Sequence, residues 1–248
     1  SEEAPLPWTP EIFMAEAIRR EALRAREAAS ANDAVSYYDG IMADDPDALV
    51  RSFAARQSVL DDPRVGHVEG ARRLRAFAIG TAEWLRERDA VVENVALTRT
   101  STRTVEEVVL NLLADDGGRV ELPVTIVTDR NPDRMLKAIR VYHSTWPLTG
   151  EHRLRPPLLP VNPGLHAVGT PGEYQRALAE GDLEGVLATF EPEGYARAPS
   201  GAAYLHRGTE ALRELYTHMF ANAGGIGLEH CTLTDDGVRC AIEYDCVP

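Results

Sequence analysis

Apolar positions recur at three- and four-residue steps through the first third of the chain, and then give way to runs of β-branched residues. Thr9-Pro10-Glu11 places a hydroxyl cap, a proline and an acid in the order that opens a helix. Ile12, Ala15, Ile18, Ala22 and Ala25 then share one face, which predicts a helix running to about Ala28. A second helix is predicted from about Asn32 to Ala43, and Asp45-Pro46-Asp47 opens a third that reaches Phe53. Ser58-Val59-Leu60 reads as a short strand ending at Asp61-Asp62-Pro63. From Gly70 to about Leu85, Ala71, Leu74, Phe77, Ala78, Ala82 and Leu85 return to helical spacing. Four strands follow, at 91–100, 104–113, 120–128 and 136–146, with Asp115-Asp116-Gly117-Gly118 as a tight hairpin. Helices first and a strand meander afterwards predict an α+β fold rather than a βαβ one.

The segment 151–164 carries Pro156, Pro157, Pro160 and Pro163 and no clear period, as a linker does. Beyond it the pattern restarts. Tyr174 and Phe190 repeat the spacing of Tyr37 and Phe53, and Asp182 precedes its phenylalanine as Asp45 does. Gly208 and Leu212 repeat Gly70 and Leu74, and Leu233-Thr234 repeats Leu97-Thr98. Ordered coincidences of this kind predict a duplication. The expected organisation is an N-terminal helical extension at 1–31, a first unit at 32–150, a Pro-rich linker at 151–165 and a second unit at 166–248. The second unit is short: the first continues from Thr98 to Trp146, whereas the sequence stops at Pro248, soon after Thr234. A half-built sheet leaves an open edge. Either the chain continues beyond Pro248 or another chain supplies the strands, and a homodimer is one way to do so.

Composition narrows the classes of function. The formal net charge of −13 and the lack of a basic stripe exclude a phosphate-tracking surface, so no nucleic-acid partner is expected. No apolar stretch approaches the roughly 20 residues of a membrane helix. Ser1-Glu2-Glu3-Ala4-Pro5 lacks the basic head of a secretory leader. Cys231, Cys240 and Cys246 form no Cys-x-x-Cys pair, and with no leader they read as reduced thiols of a cytoplasmic protein. A phosphate-binding glycine loop, a His-Glu-x-x-His motif, a nucleophile elbow and an EF-hand loop are all lacking. That predicts chemistry without cofactor or metal.

The run Tyr37-Tyr38-Asp39-Gly40-Ile41-Met42-Ala43-Asp44-Asp45-Pro46-Asp47-Ala48-Leu49-Val50, with Phe53, Val59-Leu60-Asp61-Asp62-Pro63 and Gly70-Ala71-Arg72-Arg73-Leu74, resembles the ketosteroid-isomerase and SnoaL-like polyketide-cyclase superfamily of nuclear transport factor 2-like fold. The resemblance covers nearly all of 32–147 and, more faintly, 172–248. It implies two tandem cone-shaped units, each with helices packed on a curved antiparallel sheet, the second apparently truncated. The superfamily holds isomerases, cyclases, dehydratases, epoxide hydrolases and binding proteins without catalysis, so fold alone assigns no reaction.

Residue by residue, the resemblance puts Asp62 where the isomerases have their general base and Tyr37 where they have a phenol that hydrogen-bonds the substrate oxygen. The second carboxylic acid of that arrangement, which ketosteroid isomerase keeps neutral, falls near Val124 or Thr125, and neither is an acid. In the second unit the base position falls on Ala198, before Pro199, although Tyr174 persists. Asp62 at a strand end facing an apolar cavity would have its charge disfavoured and so suit proton transfer. The plainer reading is a turn in which Asp62 caps backbone N–H groups. Asp61 is expected on the opposite face, solvated. Tyr37 and Tyr38 read equally as one core ring and one half-exposed ring.

Trp84, Asn111, Thr125, Arg140 and His143 are further expected liners of a substrate cavity. His143 shares its strand with Tyr142 and Trp146, which are expected on the face opposite to it. An Arg140 inside the cavity would need a carboxylate partner, whereas outside it would be solvated. Glu106-Glu107 reads as a polar interruption of a strand. The expected function is a cofactor-independent isomerase, cyclase or epoxide hydrolase acting on a hydrophobic polycyclic or polyketide-like molecule. The alternative is a small-molecule-binding or dimerisation protein of the same fold.

Overall fold

The computed structural model describes residues 36–43, 45–54, 58–151, 153, 155–197, 205–221 and 224–246. The predicted helix at 12–28 and the Ala198–Pro199 position lie outside the described residues. The helix predicted to reach Ala43 is described as α1, Tyr37–Met42, capped by the Ser36 hydroxyl. Helix α2, Pro46–Ser52, has Asp45 as its cap and proline in its first turn. Helix α3, Ala71–Glu87, turns Leu74, Phe77, Ala78, Ala82 and Leu85 into the core as its spacing predicts.

The strands β1 (Val59–Asp62), β2 (Gly66–Glu69), β3 (Val91–Arg99), β4 (Arg103–Leu113), β5 (Arg119–Arg130) and β6 (Leu136–Tyr142) form one sheet in the order β2-β1-β6-β5-β4-β3. Bulges at Asn94/Ala96 in β3 and at Asp129/Arg130 in β5 bend the long meander. Period-two alternation sends Val108, Leu110, Leu112, Leu122, Val124 and Ile126 to the inner face, against the α1 tyrosines, Phe53 and α3. Their odd-numbered neighbours, among them Val105, Val109 and Val127, face outward and are buried as well. Burial on both faces explains why β4 and β5 read as nearly continuous apolar runs.

Three details differ from the sequence expectation. Strand β2 was not foreseen, because only Val68 of its four residues is buried and its polar exposed side leaves no alternation to read. The sheet is not wholly antiparallel: β6 returns from the meander to lie parallel to β1, with Leu60 opposite Ile139. Finally, the last strand ends at Tyr142 rather than Trp146. Pro147 cannot donate to a ladder, and Trp146 instead opens a one-turn helix, α4 (Trp146–Thr149), with its side of the turn exposed. Trp146 therefore shares no strand face with Tyr142.

After the linker come α5 (Thr170–Glu180), α6 (Leu183–Ala188), the short pair β7 (Tyr195–Arg197) and β8 (Leu205–Arg207), α7 (Gly208–Phe220) and the hairpin β9 (Leu228–Asp235) with β10 (Cys240–Cys246). The order helix, helix, strand pair, helix, strand pair is also the order from Tyr37 to Leu113. Ala177, Leu178, Val186, Leu212 and Tyr216 make a separate small core, in which the Tyr174 and Tyr216 hydroxyls are 2.9 Å apart.

The β9–β10 hairpin lies across the outer face of the six-stranded sheet. Arg140, on that face, donates from Nε and Nη2 to the two carboxylate oxygens of Glu243 at 2.6 and 2.9 Å. Its Nη1 donates to Asp129 at 2.7 Å, and Asp129 also accepts from Arg103 at 2.6 Å. Tyr142 and Thr232 hydroxyls complete the shell of Glu243 at 2.7 and 2.6 Å. Arg140 is thus outside the sheet, as one expectation had it, but buried and paired rather than solvated. Burial opposes the charges of Asp129 and Glu243, yet the hydrogen bonds from the arginines outweigh it and hold both carboxyls below their usual range.

Removing one partner of this network, as in Arg140→Ala or Glu243→Ala, should destabilise the chain by about 3–5 kcal/mol in urea unfolding, because a buried charge is left alone. Arg176→Ala, which breaks the exposed pair with Glu180, should change stability by less than about 1 kcal/mol. Lowered carboxyl values also fix a sign. The network's contribution is complete above the ordinary carboxylate range near pH 4 and is lost as pH falls through the lowered folded values. Urea midpoints taken down to pH 3 should therefore fall, and fall less steeply in Glu243→Gln.

Candidate functional site

Asp62 ends β1 with its side chain on the inner face, 2% exposed, while Asp61 points outward. The turn that follows explains its orientation. Asp62 Oδ1 accepts the backbone N–H of Arg64 at 2.8 Å and of Val65 at 3.2 Å, and Gly66, with φ of +82°, closes the hairpin in a conformation that favours glycine. The Arg64 Nε lies 3.7 Å from the same oxygen. Its guanidinium stacks 4.0 Å above the Trp84 ring and donates to the Thr81 hydroxyl at 3.2 Å. Arg64 therefore lies between the base position and α3, and it escaped sequence analysis; its only signal was its place just after Asp62-Pro63. Asp61 is not freely solvated, since it accepts from or shares a proton with His67 Nδ1 at 2.9 Å.

Tyr37 and Tyr38 fill the space facing Asp62, their rings edge to face at 5.0 Å. Both are buried, which resolves the alternative of a half-exposed second ring. Burial first, and then the neighbouring negative charges including Asp62, push both phenols well above their ordinary value. The hydroxyl of Tyr37 is buried and has no hydrogen-bond partner. Glu106, treated in the sequence as a polar interruption, stands on the inner face because it alternates with Val108 and Leu110; Glu107 faces out. Its Oε2 accepts the Tyr37 backbone N–H at 2.9 Å and so fixes the start of α1. Burial raises the Glu106 carboxyl despite that hydrogen bond and the nearby Arg130 and Arg99. His143, just beyond β6, is lowered by burial, although the Ser144 carbonyl and the Asp62 charge act the other way.

Of the seven residues expected at a site, Asp62, Tyr37 and Trp84 lie on the helix-covered side of the sheet, and His143 feels the Asp62 charge while also lining a groove with Thr125 and Tyr142. The other three do not join them. Arg140 is committed to Glu243, Thr125 faces outward opposite Tyr142, and Asn111 lies on the outer side of β4 between Val91 and Glu121. Among the described residues no group of three or more His, Cys, Asp or Glu side chains is placed to hold a metal ion. No helix among them is long and apolar enough to cross a membrane.

Comparison with known proteins places the family at the other end of the chain from these residues. A family model described as a SnoaL-like domain matches residues 172–247. The match falls on the half whose resemblance is the fainter in sequence, and it includes the hairpin that docks on the first sheet. No curated protein matches the chain. Solved structures resemble parts of it weakly. A protein with a ketosteroid isomerase-like fold from Catenulispora acidiphila, crystallised with trimethylamine, is 14% identical over 46% of this chain and 85% of its own, with a TM-score of 0.37. An epoxide hydrolase/cyclase-like enzyme of salinomycin pyran-ring formation is 17% identical over 50% and 89%, at 0.35. A candidate polyketide cyclase from Sinorhizobium meliloti is 18% identical over 43% and 89%, at 0.34. Likeness at this level carries no weight for chemistry or ligand.

The raised Glu106 carboxyl predicts a pH effect of definite sign. The folded state holds its proton more tightly than the unfolded chain, so ionising Glu106 costs stability as pH rises from the ordinary carboxylate value through the raised one. Glu106→Gln should remove that falling limb above the ordinary carboxylate value in urea midpoints, while still offering the Tyr37 N–H an oxygen acceptor.

Proposed function

We propose that residues 32–150 form a cone-shaped unit of the same superfamily as the SnoaL-like domain, joined to a second unit at 166–248 by the linker 151–165. The shared order of elements and the repeated spacings support this organisation. We further propose that the first unit is a cofactor-independent acid/base enzyme acting on an apolar, polyketide-like or polycyclic small molecule. The observation that carries the reading is the Tyr37 hydroxyl, buried without a partner among the described residues on the same helix-covered side of the sheet as the buried Asp62 carboxylate. An unmet buried hydroxyl costs about 1–3 kcal/mol, and a ligand oxygen would meet it.

In this mechanism Asp62 takes a proton from carbon beside a carbonyl, and the Tyr37 O–H donates to the oxygen as charge develops on it. Glu106 positions Tyr37 through the backbone of α1. Neutral His143 and the ring of Trp84 supply walls. Arg64 has to swing from Trp84 for a substrate to reach Asp62; if it stays, the Asp62–Arg64 pair instead suits activation of a water for epoxide opening. A second reading, binding without catalysis, is favoured by the two backbone N–H groups that already occupy Asp62 Oδ1.

Ligand screening with a Trp8→Phe, Trp146→Phe chain leaves Trp84 as the only tryptophan and reports on the chamber directly. Given a turned-over ligand, Asp62→Asn should keep the fold and lower turnover by about 10²–10⁴-fold. Tyr37→Phe should cost less and raise stability slightly by removing the unmet hydroxyl. A chain in which Asp62→Asn unfolds readily, or binds and turns over ligand as before, would return Asp62 to the role of a turn residue.

A further inference from the structure

We infer that the groove between the outer face of the first sheet and the β9–β10 hairpin binds an apolar organic anion through Arg155 and Arg197. The groove encloses about 450 Å³, within the range of small-molecule sites. It opens on the face of the sheet opposite α1–α3, and Asp62 is not among the residues that line it, although His143 is. Val105 and Val127 of the sheet and Ala241 and Ile242 of the hairpin give it apolar walls.

Two guanidinium groups reach it from different parts of the chain, Arg155 from the linker and Arg197 from β7. Each keeps a buried nitrogen with no hydrogen-bond partner among the described residues, Nη1 of Arg155 and Nε of Arg197. Arg155 is held in place, since Nη2 donates to the Val141 carbonyl at 2.9 Å and the guanidinium sits 5.3 Å from the centre of the Tyr142 ring. The nearby Glu243 carboxylate is spent on Arg140, Tyr142 and Thr232. Glu107, the other carboxylate on the wall, leaves both nitrogens unmet.

Buried cationic donors without acceptors are costly, and a carboxylate or sulfonate answers them with charge-assisted bonds while its apolar body covers the valine walls. Such a ligand would touch the first sheet, the linker and the second half together, so its binding should tighten their docking.

Titration calorimetry on the full chain with 1-naphthoate and its neutral counterpart 1-naphthamide tests this. Naphthoate should bind at least about tenfold more tightly than the amide. Arg155→Gln and Arg197→Gln should each weaken naphthoate by about tenfold or more and leave the amide unchanged. Thr125→Trp, which fills the groove from its wall, should abolish binding. Naphthoate should raise the melting temperature of the parent chain but not of the double arginine variant. Asp62→Asn should leave its affinity unchanged. No naphthoate binding at millimolar concentration would overturn the inference. Equal affinity in folded arginine variants, or affinity lost on Asp62→Asn, would overturn it too.

Discussion

The bidentate contact between Arg140 and Glu243 is the constraint from which much of this structure follows. A guanidinium on the outer face of a sheet whose neighbours are Val105 and Val127 has no water to solvate it once that face is covered. Covering the face without a carboxylate would therefore be prohibitive, and Glu243 is what makes the β9–β10 hairpin acceptable there. The pair gives register as much as energy. The two parallel bonds fix the hairpin's rotation, and Tyr142 and Thr232 add one bond from each side of the interface. With its register set, the hairpin buries the valines of β4 and β5 and leaves a groove alongside them. Apolar burial supplies the attraction between the two layers, and the ion pair decides which arrangement of them survives.

Because both faces of β4 and β5 are covered, one-residue alternation sorts neighbouring acids into different environments. Glu106 and Glu107 differ by a single position. The first caps the start of α1 inside the chamber, and the second lines the outer groove. Asp61 and Asp62 are divided in the same way, one toward His67 and the other toward the tyrosines. A register slip of one residue would exchange all four roles. The helix-covered side and the groove are therefore two sides of one strand register, built on the same wall.

The helices and the meander were legible because their periods are long and clean. Leu74 through Leu85 could only be one face of a helix, and the β-branched runs from Val91 onward could only be strands. The orientation of Asp62 was also legible from the short strand before the proline. Arg64 was not, because a single arginine in a turn has no period, and only the folded hairpin brings it over Trp84. Arg140 and Glu243 are 103 residues apart and pair across two sheets; no local pattern encodes such a partner. Asn111 and Thr125 were assigned to a cavity without a way to tell which face was inner. When both faces of a strand are apolar, alternation alone does not say which one meets the helices.

The division between the two halves of the chain bears on how a site of this kind is kept. The part that matches the SnoaL-like domain carries Glu243 and the hairpin, whereas the buried Asp62 and Tyr37 and the half-buried His143 lie in the other part. The hairpin backs the first sheet from its outer side, through Arg140 and Tyr142 on β6 and through Leu97 and Arg99 on β3. The hairpin of the second half thus ties β6 and β3, two strands of the first sheet that are not neighbours, to one support. This gives a physical reason for one chain to retain both, whether or not the second half has chemistry of its own.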